Sequence, residues 1–289
     1  MKINRNDECW CGSKKKYKKC HMEFDEKIDE LKNQGNILPS REIIKTQEQI
    51  EGIKESAKIN NNILDLVAKN IKVGMTTDDI DKIVYEYTIS QGATPAPLGY
   101  GGFPKSVCTS INDQICHGIP SENVILKEGD IINVDVSTIY NGYFSDASRM
   151  FMIGNVSDEA KRLVEVSKEC LYKGIEAVRP WGHLGDIGAA VEKHAKDNGY
   201  SVVRDFGGHG IGLQFHEDPF VAHCGEENEG MILVPGMIFT IEPMINQGNY
   251  ELYIDADNEW TAYTEDGLLS AQWEHMVLVT EDGVEILAK

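Results

Sequence analysis

The dipeptide Asn141-Gly142, set between Asp130–Tyr140 and Tyr143–Ile153, constrains this chain more than any other feature. Asn-Gly supplies the two positive φ angles of a tight hairpin turn, and the flanking segments are rich in β-branched and aromatic residues. A two-residue hairpin centred there has a fixed register, with Ser137 opposite Asp146 and Asp135 opposite Ser148. Side chains alternate along a strand, so Asp135 shares a face with Ser137 and is a diagonal neighbour of Asp146. Asp135 lies within Ile132-Asn133-Val134-Asp135-Val136, where a carboxylate is costly unless its charge is paired. A solvated sheet face explains either aspartate alone and is a weaker account of the pair. The hairpin thus predicts two carboxylates aimed at one point, within reach of a shared cation.

Three later segments each carry one further ligand type. His209 sits in Gly207-Gly208-His209-Gly210-Ile211-Gly212, where glycine lets backbones approach closely. That run does not fit the dinucleotide-binding fingerprint, and alone His209 reads most simply as a turn residue. Glu242 lies in Phe239-Thr240-Ile241-Glu242-Pro243-Met244, and Glu274 in Ala271-Gln272-Trp273-Glu274-His275. Four carboxylates and one imidazole are too many for one structural zinc. They suit two divalent ions of the Mn, Fe or Co type and can accept Zn. Two ions roughly 3.5–4 Å apart can activate a shared water, which suits hydrolysis of an amide.

The 289 residues, 41% hydrophobic, can bury a substantial core. No apolar run is long enough to span a membrane, and the first residues lack a signal-peptide core, so a cytoplasmic protein is expected. Seven cysteines cannot all pair, which favours metal-bound or free thiols. The net charge of −19 argues against broad nucleic-acid binding by the main body. Residues 1–21, however, hold seven basic side chains against two acidic ones, +5, which leaves −24 for the rest. Three zones follow: a basic, cysteine-rich module over 1–21, a polar linker with a short helix over 22–39, and a large domain over 40–289.

In that domain Ile43, Ile50, Ile53, Ala57, Ile63, Leu64 and Val67 recur at helical spacing behind Ser40, an N-cap candidate. A second helix starts near Thr77-Asp78-Asp79. A similar pair is marked by Val164, Leu171, Ile175 and Val178, then by Ile187, Val191 and Ala195. A shift of 107 residues aligns Asp79-Ile80 with Asp186-Ile187, Val84 with Val191 and Gly92 with Gly199. The identities are few, but the shared order of elements predicts two related halves with a site at their seam. Val107–Asn112 and Gln114–His117 flank a turn at Asn112-Asp113, and Ile238–Glu242 and Gln272–Val279 are further strands.

The ligand order Asp, Asp, His, Glu, Glu, with its flanks, resembles type I methionine aminopeptidases of the pita-bread fold. The segments that carry the resemblance are Pro104–Cys108, Cys116–Pro120, Gly208–Gly212, Thr240–Met244 and Ser270–His275, and it runs essentially from Ser40 to the end. It implies an α+β fold with two pseudo-symmetric halves and hydrolysis of an initiator methionine from a peptide or nascent chain whose second residue is small. It also implies roles. Asp135 would be bidentate to one metal, Asp146 and Glu274 would bridge both, and His209 and Glu242 would complete the other metal's shell. Glu242 would also move a proton, His117 would contact the scissile amide, and His216 would stabilise the oxyanion. Tyr100, Phe103, Cys108, Phe215 and Trp260, with His117 and His216, would line the substrate pocket. Two departures lie at its rim: Pro97 stands where some members carry cysteine, and Gly101 where some carry histidine. A monomer is the family's usual form.

Cys9, Cys11, Cys20 and His21 form a four-ligand set suited to one tetrahedral zinc, and residues 5–21 resemble the SEC-C motif. So short a segment has no core of its own, so metal binding would be its folding. Its basic charge predicts contact with ribosomal RNA. Three rival readings remain. Proline dipeptidases and Xaa-Pro aminopeptidases share the fold and the ligands but usually carry a large N-terminal domain. A non-catalytic pita-bread binding protein tends to lose ligands that this chain keeps. A purely structural zinc protein explains only the first 21 residues.

Overall fold

The turn at Asn141-Gly142 forms with φ of 50° and 83°, the two left-handed residues that a tight hairpin requires. The computed structural model describes residues 3–289. Its helices are α1 (Met22–Asn33), α2 (Gln47–Asn70), α3 (Thr77–Ser90), α4 (Asp158–Ala177) and α5 (Gly185–Asp197). The strands that build the site are β1 (Cys108–Ile111), β2 (Ile131–Tyr140), β3 (Tyr143–Met152), β4 (Gly208–Gly210), β5 (Glu217–Val221), β6 (Ile238–Ile241), β7 (His275–Val279) and β8 (Val284–Ala288).

In the first half β2 is central, paired antiparallel with β1, β3 and the two-residue strand Thr94–Pro95. The β2–β3 register sets Ser137 opposite Asp146 and Asp135 opposite Ser148. Ile53, Ile63 and Leu64 of α2 pack with Val134, Val136 and Ala147 of this sheet in one buried cluster. The second half has a five-stranded sheet in the order β8-β7-β6-β4-β5. Leu171 and Ile175 of α4 and Ile187 of α5 pack there with Phe239, Ile241 and Val277.

The two halves repeat in detail at the 107-residue shift. The Asp79 carboxylate accepts the N–H of Thr76, and the Asp186 carboxylate accepts that of His183. Thr76 bridges to Ile125, and His183 bridges to Ile232. Gly129 and Gly236 take the same left-handed turn, at φ of 94° and 95°.

One expectation needs correction. The long helix does not start behind Ser40. Arg41–Ile43 make a short 3-10 turn, and α2 begins at Gln47, where Thr46 and Gln49 form a reciprocal capping box. The turn expected at Asn112-Asp113 is flanked by strands that join different sheets. The turn forms, with Asn112 at φ 55°, but β1 joins β2 while Gln114–Cys116 joins Ala262–Thr264. The Asn112 side chain bonds the Asp130 carboxylate and the Ile131 N–H, which ties the turn to the start of β2.

The stretch 22–39 carries a twelve-residue helix, α1. Phe24, Ile28 and Leu31 of this helix, with Leu38, pack against the second half's core beside Trp181 and Leu184.

Candidate active site

The two sheets meet in a cavity of about 440 Å³ whose floor is acidic and whose walls are aromatic. Asp135, Asp146, His209, Glu242 and Glu274 all line it, as do His117 and His216. Tyr100, Phe103, Cys108, Phe215 and Trp260 form the remaining wall together with Pro97. Gly101 stands outside that lining with its α-carbon turned to Trp260, where an added Cβ would lie 3.2 Å from the indole.

Asp135 and Asp146 arrive from β2 and β3. Ser137, opposite Asp146, donates to its Oδ1 at 2.9 Å. Glu274 arrives from the break between Ser270–Gln272 and β7, where its backbone bridges to Ser148. One ligand atom each from Asp146, His209 and Glu274 lie within 4.8 Å of one another. His209 is the central residue of β4, wedged between β5 and β6. A Cβ on Gly208 would collide with the Thr240 carbonyl, and one on Gly210 with that of Asp218, so the glycines let the strand in. The His209 Nδ1–H donates to the Gly210 carbonyl at 3.0 Å. That fixes the tautomer and leaves the Nε2 lone pair 3.8 Å from both Asp146 Oδ2 and Glu242 Oε1. Burial holds His209 down at about 3, so these are separations between neutral ligand and carboxylates rather than ion pairs.

Burial also moves the acids. Desolvation pushes Asp135 up to about 6 and Glu242 up to about 8. Asp146 and Glu274 are raised well above the usual range by burial first and then by the other carboxylates. The group titrates as one set, and its direction is upward. Desolvation lowers His117 to about 4, with His216 adding to the effect. His216 stands at the cavity mouth, 2.9 Å from the Tyr100 hydroxyl and with its ring 4.2 Å from that of His209.

Among the described residues no lysine or arginine lines this cavity. Asp135 Oδ1 is buried without a hydrogen-bond partner. Four buried carboxylates with no cation and one orphaned oxygen make a site that divalent metal satisfies. A second cluster lies outside the cavity, where Cys9, Cys11, Cys20 and His21 converge. The separations there are 3.2 Å for Cys9 Sγ to His21 Nδ1, 3.2 Å for Cys20 Sγ to His21 Nδ1 and 3.6 Å for Cys11 Sγ to Cys20 Sγ. A tetrahedron with Zn–S of about 2.3 Å and Zn–N of about 2.0 Å has edges of roughly 3.5–3.8 Å, close to these.

The supporting groups were not evident in the sequence. Thr240 donates to Glu242 Oε1 at 2.7 Å and accepts the His209 N–H at 3.0 Å. Gln272 donates to Glu242 Oε2 at 3.2 Å, and the Glu242 N–H donates to His223 Nε2 at 3.0 Å. Phe206 meets His117 edge-on at 5.5 Å. Strand alternation could have found Thr240, two residues before Glu242. Nothing local marks His223 or Phe206.

The profile of Metallopeptidase family M24 matches residues 51–281, and that of the SEC-C motif matches residues 5–23. The chain belongs to metallopeptidase family M24. Within the family it is 52% identical over 242 residues to methionine aminopeptidase A of Synechocystis sp., an alignment that covers 84% of this chain and 95% of the relative. It is 47% identical over 290 residues to the methionine aminopeptidase of Chlamydia trachomatis, which covers 99% of this chain and 98% of the relative. The crystal structure of methionine aminopeptidase from Rickettsia prowazekii superposes with a TM-score of 0.84 at 44% identity, covering 85% of this chain and 99% of that one. No helix among the described residues is long and apolar enough to cross a membrane.

Proposed function

We propose that this chain removes the N-terminal methionine from peptides and nascent chains whose second residue is small. The observation that carries the reading is the floor of the cavity, four carboxylates and a neutral imidazole with no lysine or arginine beside them among the described residues, under an aromatic wall. Asp135, Asp146, His209, Glu242 and Glu274 hold two divalent ions of the Mn, Fe, Co or Zn type. When bound, these ions supply Lewis-acid polarisation of the scissile carbonyl and a water acidic enough to attack at neutral pH.

The chain's own residues do the rest. Tyr100, Phe103, Cys108, Phe215 and Trp260 enclose the methionine side chain, whose thioether makes favourable contacts with aromatic rings. Glu242, gripped by Thr240 and Gln272, takes a proton at its carboxylate and returns it to the leaving nitrogen. His117, kept neutral by burial, contacts the scissile amide. His216 donates to the oxygen that gains charge, a role worth about 10²–10³ in kcat.

The test uses metal-stripped protein reloaded with Mn²⁺ or Co²⁺ and given Met-Gly, Met-Leu and Ala-Pro peptides, with products read by mass spectrometry. Methionine release from Met-Gly alone is the expected result. Cleavage of Ala-Pro would move the chain to the proline-specific branch, and no cleavage with any metal would favour a binding protein.

In the N-terminal module Cys9, Cys11, Cys20 and His21 hold one structural zinc, and its lysines contact ribosomal RNA. Lys14, Lys15, Lys16, Lys18 and Lys19 are all exposed, on a chain whose other residues are strongly acidic. Changing these five to glutamine should abolish ribosome co-sedimentation at low salt while leaving peptide cleavage intact. Unchanged co-sedimentation would remove the ribosome from the reading. A cytoplasmic monomer suffices, since one chain supplies every group named.

A further inference from the structure

Lys45 is a lysine with its side chain wholly shielded from solvent, which is unusual enough to need a reason. It lies between the short 3-10 turn and the Thr46 cap of α2, and its N–H donates to the Gly236 carbonyl at 2.9 Å. The ammonium ends on Glu217 Oε2, a carboxylate that is itself nine-tenths shielded. The other oxygen of that carboxylate accepts two backbone N–H groups, from Leu213 at 2.6 Å and Gln214 at 2.8 Å. Glu217 therefore spans the turn that carries Phe215 and His216, and Lys45 holds Glu217 from behind. Gly212 makes the approach workable. At φ 132° it occupies a region that side chains avoid, and an added Cβ would lie 2.5 Å from Ile53 and 3.2 Å from Lys45 Cε.

We propose that Lys45 and Glu217 are positioning residues for the reaction: their buried ion pair sets the Gly212–Glu217 turn and so fixes His216 and Phe215 over the cavity. The inference rests on the reading of His216 given above. The geometry explains why a costly pair is kept. A flexible turn would leave His216 free to swing on its exposed side, whereas the carboxylate ties two N–H groups and the ammonium ties the carboxylate. Glu217 lines the cavity, and Lys45 does not.

The test compares Glu217→Ala, Glu217→Gln, the neutral pair Lys45→Met with Glu217→Gln, and His216→Ala. Each is measured by kcat, KM and amide hydrogen exchange over 212–217 in metal-loaded, full-length protein. Glu217→Ala should raise exchange at Leu213 and Gln214 and lower kcat at least tenfold, with KM changed by less than threefold. The double variant keeps an acceptor for both N–H groups and leaves no unpaired charge, so it should fold, retain slow exchange in the turn and recover most of kcat. The proposal is overturned if Glu217→Ala leaves exchange in the turn unchanged. It is also overturned if the double variant loses kcat as fully as Glu217→Ala while its turn stays protected, because the charge and not the position would then matter. Should His216→Ala itself keep full kcat, the reading of His216 fails; the exchange data still decide whether the pair orders the turn.

Discussion

Asp146→Asn should abolish peptide cleavage and yet raise the melting temperature of the metal-free protein. Both effects come from one carboxylate at the centre of the acidic floor. On the proposed reading Asp146 is one of the negative groups that would hold divalent ions, and its Oδ2 faces the free nitrogen of His209. Loss of that ligand removes several kcal/mol of stabilisation, on the order of 10³-fold in kcat. Without metal the same carboxylate is buried against Asp135 and Glu242, which raises its pKa well above the usual range. The amide repels neither neighbour and still accepts from Ser137, whose hydroxyl now bonds Asp146 Oδ1.

The pH dependence fixes the sign. A carboxyl whose folded pKa is raised binds more protons folded than unfolded, so it costs stability as pH climbs from the unfolded value through the folded one. For Asp135 that window ends at about 6 and for Glu242 at about 8, and burial raises Asp146 and Glu274 well above the usual carboxylate range. The buried histidines oppose this below pH about 6.5, because His117, His209 and His223 are depressed to about 4, 3 and 3. Between pH 6.5 and 8 only the carboxylates act. Metal-free wild type should therefore lose stability over that interval, by about 1.4 kcal/mol per pH unit for each carboxyl that must ionise. Asp146→Asn should lose less, and saturating Mn²⁺ should reverse the trend. Chemical denaturation at pH 6.5 and 8.0, with and without metal, measures all of this. A variant no more stable than metal-free wild type at pH 8 would mean that the acids are not crowded.

Much of this centre was legible because β-structure has a rigid period. Asn141-Gly142 fixed the register of β2 and β3, and that register put Asp135 and Asp146 on one face. The repeat was legible for a similar reason. Asp79 and Asp186, in the first turns of α3 and α5, and the turn glycines Gly92 and Gly199 answer local backbone demands that recur in each half. What stayed hidden is what only three-dimensional packing creates. Gly208 and Gly210 read as a loop until β5 and β6 are seen on either side. The start of α2 was misjudged because Ser40 and Thr46 are both acceptable caps, and only Thr46 has a partner at Gln49 that returns the bond. Lys45 and Glu217 lie 172 residues apart, a separation that no periodicity spans.

Replacing Cys20 by serine, or stripping zinc, should unfold residues 3–21 and leave the cavity working. The module is too small to be held by its own apolar contacts. Among the described residues up to His21 only Cys9 is a buried apolar one, and the short 3-10 turn Tyr17–Lys19 buries none. Its backbone is held by few bonds of its own, such as Cys9 N–H to the Lys15 carbonyl at 2.9 Å. Zinc bound by three thiolates and an imidazole supplies on the order of 10 kcal/mol in such peptides, far more than those contacts. Burial pushes the Cys9 thiol up to about 11, so zinc must displace its proton and the affinity should fall in acid. The body, by contrast, keeps α1 through Phe24 and Trp181, whose rings lie 5.3 Å apart, and through Asp25, which Arg41 meets at 3.0 Å. Trp10 bonds the same carboxylate at 3.1 Å and stacks under Arg41 at 4.5 Å, so its release should be visible in tryptophan emission. Zinc analysis should give one equivalent less in the Cys20→Ser protein, with amide exchange fast up to His21 and slow from α1 onward. Fast exchange that spread through α2 or lost peptide cleavage would show instead that the module helps hold the catalytic half together.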